Sequence, residues 1–311
     1  VKIVFMGTPE FAVPSLEMLI QEGYEVLAVV TQPDKPKGRG NKMSAPPVKE
    51  FAIEHGITVL QPEKIKTPEF IEQIRELGPD LLITAAYGKI ISKELLDVPP
   101  MGCINVHGSL LPAYRGAAPI HWSIINGEKI TGITTMFTDV GVDTGDMLLK
   151  KEIEIGPDMT VGELHDKMAV LGAEVLKDTL VELQNGTLVR KPQEDALSSY
   201  APIISKEVGH IDWSKTAQEI HNLVRGTNPW PGAYTFLNDS KMRIWKTSIF
   251  ACDHQGHDIG EIIRVNDDGI LVRCSDGYIM VRELQFDSSK RMKVSDYLRG
   301  HKINTGEKLE S

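Results

Sequence analysis

The sequence predicts an α/β protein in which a mostly parallel sheet is followed by a separate, smaller β unit. Three observations carry that prediction. Over roughly the first 180 residues, short apolar runs alternate with helical patterns, as in strands joined by crossover helices. A polar stretch without sustained period then reads as a connector. Beyond it come short β-like runs separated by turn-forming clusters.

In chain order, KIVFMG (Lys2–Gly7) reads as the first strand. A helix follows it, with Phe11, Leu16, Leu19 and Ile20 forming a stripe that ends at Gly23. EVLAVVT (Glu25–Thr31) is the second strand. QPDKPKGRGNKMSAPPVKE is too rich in Pro, Gly and charge for regular structure, and loops of that length are commonly functional. DLLITAAYG (Asp80–Gly88) and CINVH (Cys103–His107) are buried strands, and KITGITTMFT follows after Gly127. Thr160 and Glu163 form a capping box before a helix in which Leu164, Met168, Leu171 and Val175 share one face. That helix stops at Asn185–Gly186, so the domains are expected at 1–185 and 208–311, with a linker at 186–207. In the second domain Ser214 is expected to cap a short helix stopped by Gly226. Strands are expected at Met242–Cys252, Ile259–Val265, Gly269–Cys274 and Tyr278–Gln285, which suggests a small closed barrel of the OB type.

Composition narrows the function. Hydrophobic residues make up 41% and charged residues 25%, as in ordinary globular proteins. No apolar run approaches the ~20 residues of a membrane span, and the first residues carry no basic leader pattern. The expectation is a cytoplasmic protein that meets no membrane. Cys103, Cys252 and Cys274 are far apart and lack C-x-x-C spacing, which speaks against a disulfide framework or a zinc cluster. The net charge is −9, yet residues 206–311 are balanced at 15 basic and 15 acidic groups, so the excess acid lies earlier. Within that acidic part, Lys35, Lys37, Arg39, Lys42 and Lys49 form a basic tract without acid. Screening confines exposed charges to about 10 Å, so such a tract can still meet phosphates.

The first strand ends in GTPEF, which lacks the G-x-G-x-x-G fingerprint, and Pro9 removes a backbone donor. A nicotinamide enzyme is thereby disfavoured. H-E-x-x-H, G-x-S-x-G and Walker patterns are absent, and the nine histidines are scattered, so no metal is expected. What remains is Asn105 and His107, two apart on one strand and so on one face, together with Asp139, Asp143 and Asp146 in DVGVDTGD. Open α/β sheets bind ligands at the carboxyl ends of their strands. An amide, an imidazole and a carboxylate there can stabilise an oxyanion and exchange protons. Pattern alone equally allows a structural histidine and turn-forming aspartates.

NVHGSLLPAYRGAAPI together with DVGVDTGDM resembles the signature of the 10-formyltetrahydrofolate-dependent formyltransferases. The resemblance implies the formyltransferase fold, with a Rossmann-like N-terminal sheet and a C-terminal OB-like barrel. MGTPEFAVPSL, TQPDKPKGRG, AAYGKI and GTNPWPGAY are further similar to the members whose acceptor is methionyl initiator tRNA. On this resemblance Asn105 and His107 stabilise the oxyanion and manage protons, Asp143 supports His107, and Asp146 shapes the turn. Ser109, Leu110, Leu111 and Pro112 would line the folate site, with the pterin near Tyr87, Gly88, Asp139 and Val140. Lys35, Lys37, Arg39 and Lys42 would meet the acceptor stem. Lys206 and barrel residues such as Arg243, Trp245, Lys246, Arg291 and Lys293 would hold the tRNA. Nothing in the sequence demands a dimer, and a monomer is expected.

Overall fold

Ile3, Val4, Phe5 and Met6 are all fully or almost fully buried, so strand β1 (Lys2–Gly7) is covered on both faces and lies inside its sheet. The computed structural model describes residues 1–37, 42–250, 256–287 and 289–311. The chain divides into two units, the first made of Val1–Pro119, Ile130–Glu154 and His165–Pro202. Its further strands are β2 (Glu25–Val30), β3 (Lys35–Lys37), β4 (Lys42–Ser44), β5 (Val59–Leu60) and β6 (Leu81–Ala85). Then come β7 (Cys103–His107), β8 (Arg115–Gly116), β9 (Ile130–Phe137), β10 (Met147–Glu154) and β11 (Tyr200–Ala201).

The main sheet has seven strands in the order β10-β9-β7-β6-β1-β2-β5. Pairings from β7 through β5 are parallel, as predicted, whereas β9 and β10 run antiparallel at one edge. The helix Pro68–Leu77 illustrates how covering helices form. Thr67 caps it by accepting from the Phe70 amide, and Gly78 ends it in the left-handed region at φ +64°. Phe70, Ile71 and Ile74 face the core with Val4, Met6, Val30 and Leu82, each such side chain contributing about 1.5–3 kcal/mol on burial. The capping box of Thr160 and Glu163 is present, and Leu164, Met168, Leu171 and Val175 are buried along the helix Val161–Asn185.

Two sequence expectations change in this unit. The tract expected as loop contains two short strands, β3 and β4, paired antiparallel, followed by a helix that begins at Pro47. Residues 186–202 are no free connector. Lys191 bridges Met147, and β11 pairs with β8 in the first unit.

The second unit comprises Ile120–Lys129, Ile155–Leu164 and Ile203–Ser311. Its strands β12 (Ala233–Leu237), β13 (Ser240–Phe250), β14 (Ile262–Asn266), β15 (Gly269–Arg273), β16 (Tyr278–Phe286) and β17 (Met292–Lys293) are paired antiparallel throughout. The order is β12-β13-β16-β15-β14, with β17 beside β16. Asn238 and Asp239 join β12 to β13 with φ of +49° and +62°, the backbone of a two-residue hairpin whose twist matches its strands. The C-terminal tail spans the two edge strands. The Glu310 amide donates to Phe236 on β12, while Ile262 of β14 donates to Glu307 and receives from Gly306. The helix Ala217–Gly226 is capped by Thr216 with Glu219 in a capping box, not by Ser214, whose hydroxyl bonds Asp212 instead. Trp213 is fully buried in this core, its indole N–H donating to Thr235 at 3.1 Å.

That helix also buries a polar network. Arg225 donates to Asn222 and to the carbonyls of Gly156 and Met159, and His221 bonds Thr247 at 2.9 Å and the Pro157 carbonyl at 3.1 Å. Burial holds the His221 pKa below its ordinary 6.5. Its neutral form therefore contributes stability above that value, lost as pH falls through the depressed folded-state pKa. The thermal midpoint should fall on acidification from pH 7 toward 5, and His221→Gln should flatten that dependence. Equal slopes for parent and variant would show that this histidine is not the sensitive group.

Candidate active site

The site is built from aligned rows across four strands. In register, Asn105 on β7 lies opposite Thr84 on β6 and Met136 on β9, and Met136 lies opposite Met147 on β10. One row on, His107 lies opposite Thr134, which lies opposite Lys150. Residues directly opposite share a face, so both rows present their side chains together. β10 carries a bulge between Met147 and Lys150, which lets both strand ends keep that alignment. Thr135 accepts from the Leu149 amide at 3.2 Å within the bulge.

Each chemical group is fixed by named partners. The Thr84 hydroxyl donates to Asn105 Oδ1 at 2.8 Å, leaving Nδ2 as the free end of the amide. His107 is 5% exposed; its Nε2 lies 2.9 Å from the Tyr114 carbonyl, which can only accept, and its Nδ1 is 3.6 Å from Asp143 Oδ1. The other Asp143 oxygen accepts from the Gly116 amide at 2.8 Å. Gln193 donates to the carbonyls of Asp143 and Gly145, both at 2.8 Å. Ala86, Tyr114 and Asp143 all hold left-handed backbone, with φ of +47°, +59° and +53°. Non-glycine residues are costly there, and such strain clusters at functional sites. Cys103 begins the same strand, but burial pushes its thiol up to about 12, which disfavours a thiolate nucleophile.

The structure brings Asn105, His107 and Asp143 together and separates their neighbours by role. Asp139 accepts from the Gly141 amide and the Thr144 hydroxyl, shaping the turn. Asp146 pairs with Arg190 at 2.9 Å. After His107, Ser109 is fully buried and its hydroxyl is spent on the Ala113 carbonyl at 2.6 Å. Leu111 is also fully buried, packed against Met136 and Met147. Leu110 and Pro112 remain partly exposed, and Gly88 and Val140 are exposed. The Tyr87 ring is not on the surface but in the core; burial pushes its phenol up to about 12, and no partner bonds its hydroxyl among the described residues.

Among the basic residues, Lys35 on β3 and Lys206 are exposed, and Lys37 and Lys42 lie on β3 and β4. Arg39 lies outside the described residues. Lys49 is not free: it grips both oxygens of Asp34 and the side-chain Oε1 of Gln61, and that ammonium holds the Asp34 carboxyl below its usual range. In the second unit, Arg243 pairs with Asp287, and Arg291 pairs with Glu283 over the Trp245 ring. Thr84, Thr134, Lys150 and Gln193 escaped the sequence reading. No motif flags a lone threonine in a strand, and Gln193 sat in a stretch read as linker.

The family pattern described as "Formyl transferase" matches residues 1–180, and "Formyl transferase, C-terminal domain" matches residues 203–302. The methionyl-tRNA formyltransferase of Ruminiclostridium cellulolyticum is 81% identical over 309 residues, covering 99% of each chain. That of Acetivibrio thermocellus is 63% identical, again over 99% of each chain. Among solved structures, the sugar 3N-formyl transferase WlaRD, with dTDP and 5-N-formyl-THF, superposes at TM-score 0.68 and 22% identity, over 93% of this chain and 99% of that one. HypX from Aquifex aeolicus in complex with tetrahydrofolic acid gives 0.62 at 15% identity, over 97% of this chain and 50% of that one. These two likenesses are of fold.

The Asp139–Asp146 turn closes where Phe137 donates to Asp146. A Cβ on Gly145 would stand 1.7 Å from the Phe137 carbonyl oxygen, whereas one on Gly141 would meet only the Thr144 side chain. Gly145→Ala should therefore destabilise by roughly 1–3 kcal/mol or more in urea unfolding, and Gly141→Ala by less. The reverse order would show that the turn yields at Phe137.

Proposed function

As the chain belongs to the formyl transferase family, we propose that it transfers the formyl group of 10-formyltetrahydrofolate to the α-amino group of methionyl initiator tRNA. The observation that carries this reading is the meeting of Asn105, His107 and Asp143 at the strand ends, in a chain 81% identical to a methionyl-tRNA formyltransferase. The acceptor amine attacks the formyl carbon, the carbon–N10 bond breaks, and the proton lost by the amine is returned to N10. Asn105 Nδ2 donates to the oxyanion of the tetrahedral intermediate. His107 stands between the Tyr114 carbonyl and the Asp143 carboxylate, which fix its ring where it can exchange a proton with the reacting groups. Asp143 orients that ring and offsets its charge.

Exposure supports a folate path along Gly88, Leu110, Pro112 and Val140, with Ser109, Leu111 and Tyr87 shaping it from beneath. Lys35, Lys37, Arg39 and Lys42 meet the acceptor stem, and Lys206 with the second unit holds the rest of the tRNA. The catalytic domain is taken as 1–185 and the tRNA-binding domain as 208–311. The protein works as a monomer in the cytoplasm, where translation initiates.

Formylation of methionyl initiator tRNA, run beside methionyl elongator tRNA and small amines, tests the reading; turnover confined to a small amine overturns it. His107→Ala and Asn105→Ala should each lower turnover by roughly 10²–10⁴-fold with little change in substrate binding. Asp143→Asn should behave likewise and Asp146→Asn should be milder. Near-parental turnover in His107→Ala sinks the assignment.

Arg39 tests the basic tract, because a guanidinium grips phosphate bidentately. Arg39→Ala should weaken charged-tRNA binding at low salt, spare folate binding, and flatten the slope of log affinity against log salt by roughly one unit. An unaltered slope and affinity in Arg39→Ala and Lys37→Ala would make the tract a solvated tether.

A further inference from the structure

We infer that Thr134 and Lys150 are positioning residues that clamp the Ser109–Pro112 loop for the folate co-substrate, an inference that rests on the reaction proposed above. Leu111 lies in a loop, where a buried backbone amide and carbonyl need partners outside regular structure. One cross-strand pair supplies both. The Leu111 amide donates to Thr134 Oγ1 at 3.1 Å, and Lys150 Nζ donates to the Leu111 carbonyl. The Thr134 hydroxyl proton goes to the Ser109 carbonyl at 2.7 Å. These directions are unambiguous, since an amide only donates and a carbonyl only accepts.

The Leu111 side chain completes the hold from the neighbouring row, buried against Met136 and Met147. With Leu111 gripped at its backbone and its side chain, Leu110 and Pro112 are left partly exposed on either side. Thr134 is also the cross-strand neighbour of His107. The clamp thus sets the distance between a folate lying on the loop and the imidazole that acts on its formyl group. Lys150 sits exposed on the edge strand, and partial desolvation of its ammonium, with the nearby Lys191 charge, lowers its pKa from that of an ordinary lysine. Its Nζ is nonetheless directed at the Leu111 carbonyl rather than left to solvent alone.

The test uses the full chain with Thr134→Val, Lys150→Met and the conservative Thr134→Ser and Lys150→Arg. Amide hydrogen exchange of the 108–114 segment is read without ligand, and the dissociation constant of 5-formyltetrahydrofolate by titration. Loss of either hydrogen bond should speed exchange in that segment and weaken folate binding, each by about tenfold. KM for charged tRNA should stay unchanged, and the conservative variants should recover most of the loss. Should Thr134→Val fail to fold, Lys150→Met on the edge strand carries the experiment. Parental exchange in folded Lys150→Met overturns the clamp; faster exchange with parental folate affinity overturns its role in positioning. A parent protein that binds no folate overturns the reaction itself, and with it this role, while exchange alone still decides whether the clamp exists.

Discussion

The register in which β6, β7, β9 and β10 are paired is the constraint on which the site depends. It puts Thr84, Asn105, Met136 and Met147 in one row and His107, Thr134 and Lys150 in the next. A slip of one residue in β9 would turn Thr134 and Met136 to the opposite face, because side chains alternate strictly along a strand. The histidine would lose the neighbour that holds its loop, and Leu111 would lose the methionines beneath it. The antiparallel edge makes this alignment demanding, since β10 must absorb an extra residue to bring both Met147 and Lys150 opposite their partners. Thr135, pointing the other way, accepts from the bulge at Leu149 and shares a 2.7 Å hydrogen bond with Thr179 on the covering helix.

Around this frame, strain is held by many ordinary contacts. Left-handed backbone at Ala86, Tyr114 and Asp143 costs on the order of 1–3 kcal/mol each. A typical hydrogen bond contributes only about 1 kcal/mol net, so several are needed. They are present: Tyr114 donates to Ser199, Gly116 to Asp143, and Gln193 to Asp143 and Gly145. Three of these four hydrogen bonds involve residues 186–202. The stretch therefore behaves as an outer wall of the first unit, which explains why its few strand pairings lie with β8 and β10.

Much of this was legible in the sequence, for physical reasons that also mark the limits. Lys2–Gly7 and Leu81–Ala85 could be read because strands buried on both faces are nearly all apolar. Thr160 and Glu163 could be read because a capping box is local. Asn105 and His107 stood out as polar groups in a core strand. Ser214 begins the helical pattern and so resembles a cap, yet Thr216 has Glu219 three residues on and forms the reciprocal pair. The antiparallel direction of β9 and β10 was hidden, since alternation and burial look alike in either direction. Ser109, Leu111 and Tyr87 were placed toward a ligand by resemblance, and only packing shows their side chains turned inward. Thr134 and Lys150 were invisible because their significance lies in a cross-strand pairing.

The tail that spans β12 and β14 has a consequence for synthesis. Gly306–Glu310 bonds to strands made much earlier, so until that segment leaves the ribosome a nascent second unit lacks the partner of β14 at Ile262 and of β12 at Phe236, where only Tyr234 is already bridged by His210. Open edges are templates for association with other chains, and contacts between distant segments form late. During that interval the sheet around Trp213 lacks those contacts, and premature termination upstream of Gly306 would make the exposure permanent. Quality control would then act on the second unit while the completed sheet of the first gave no sign of damage.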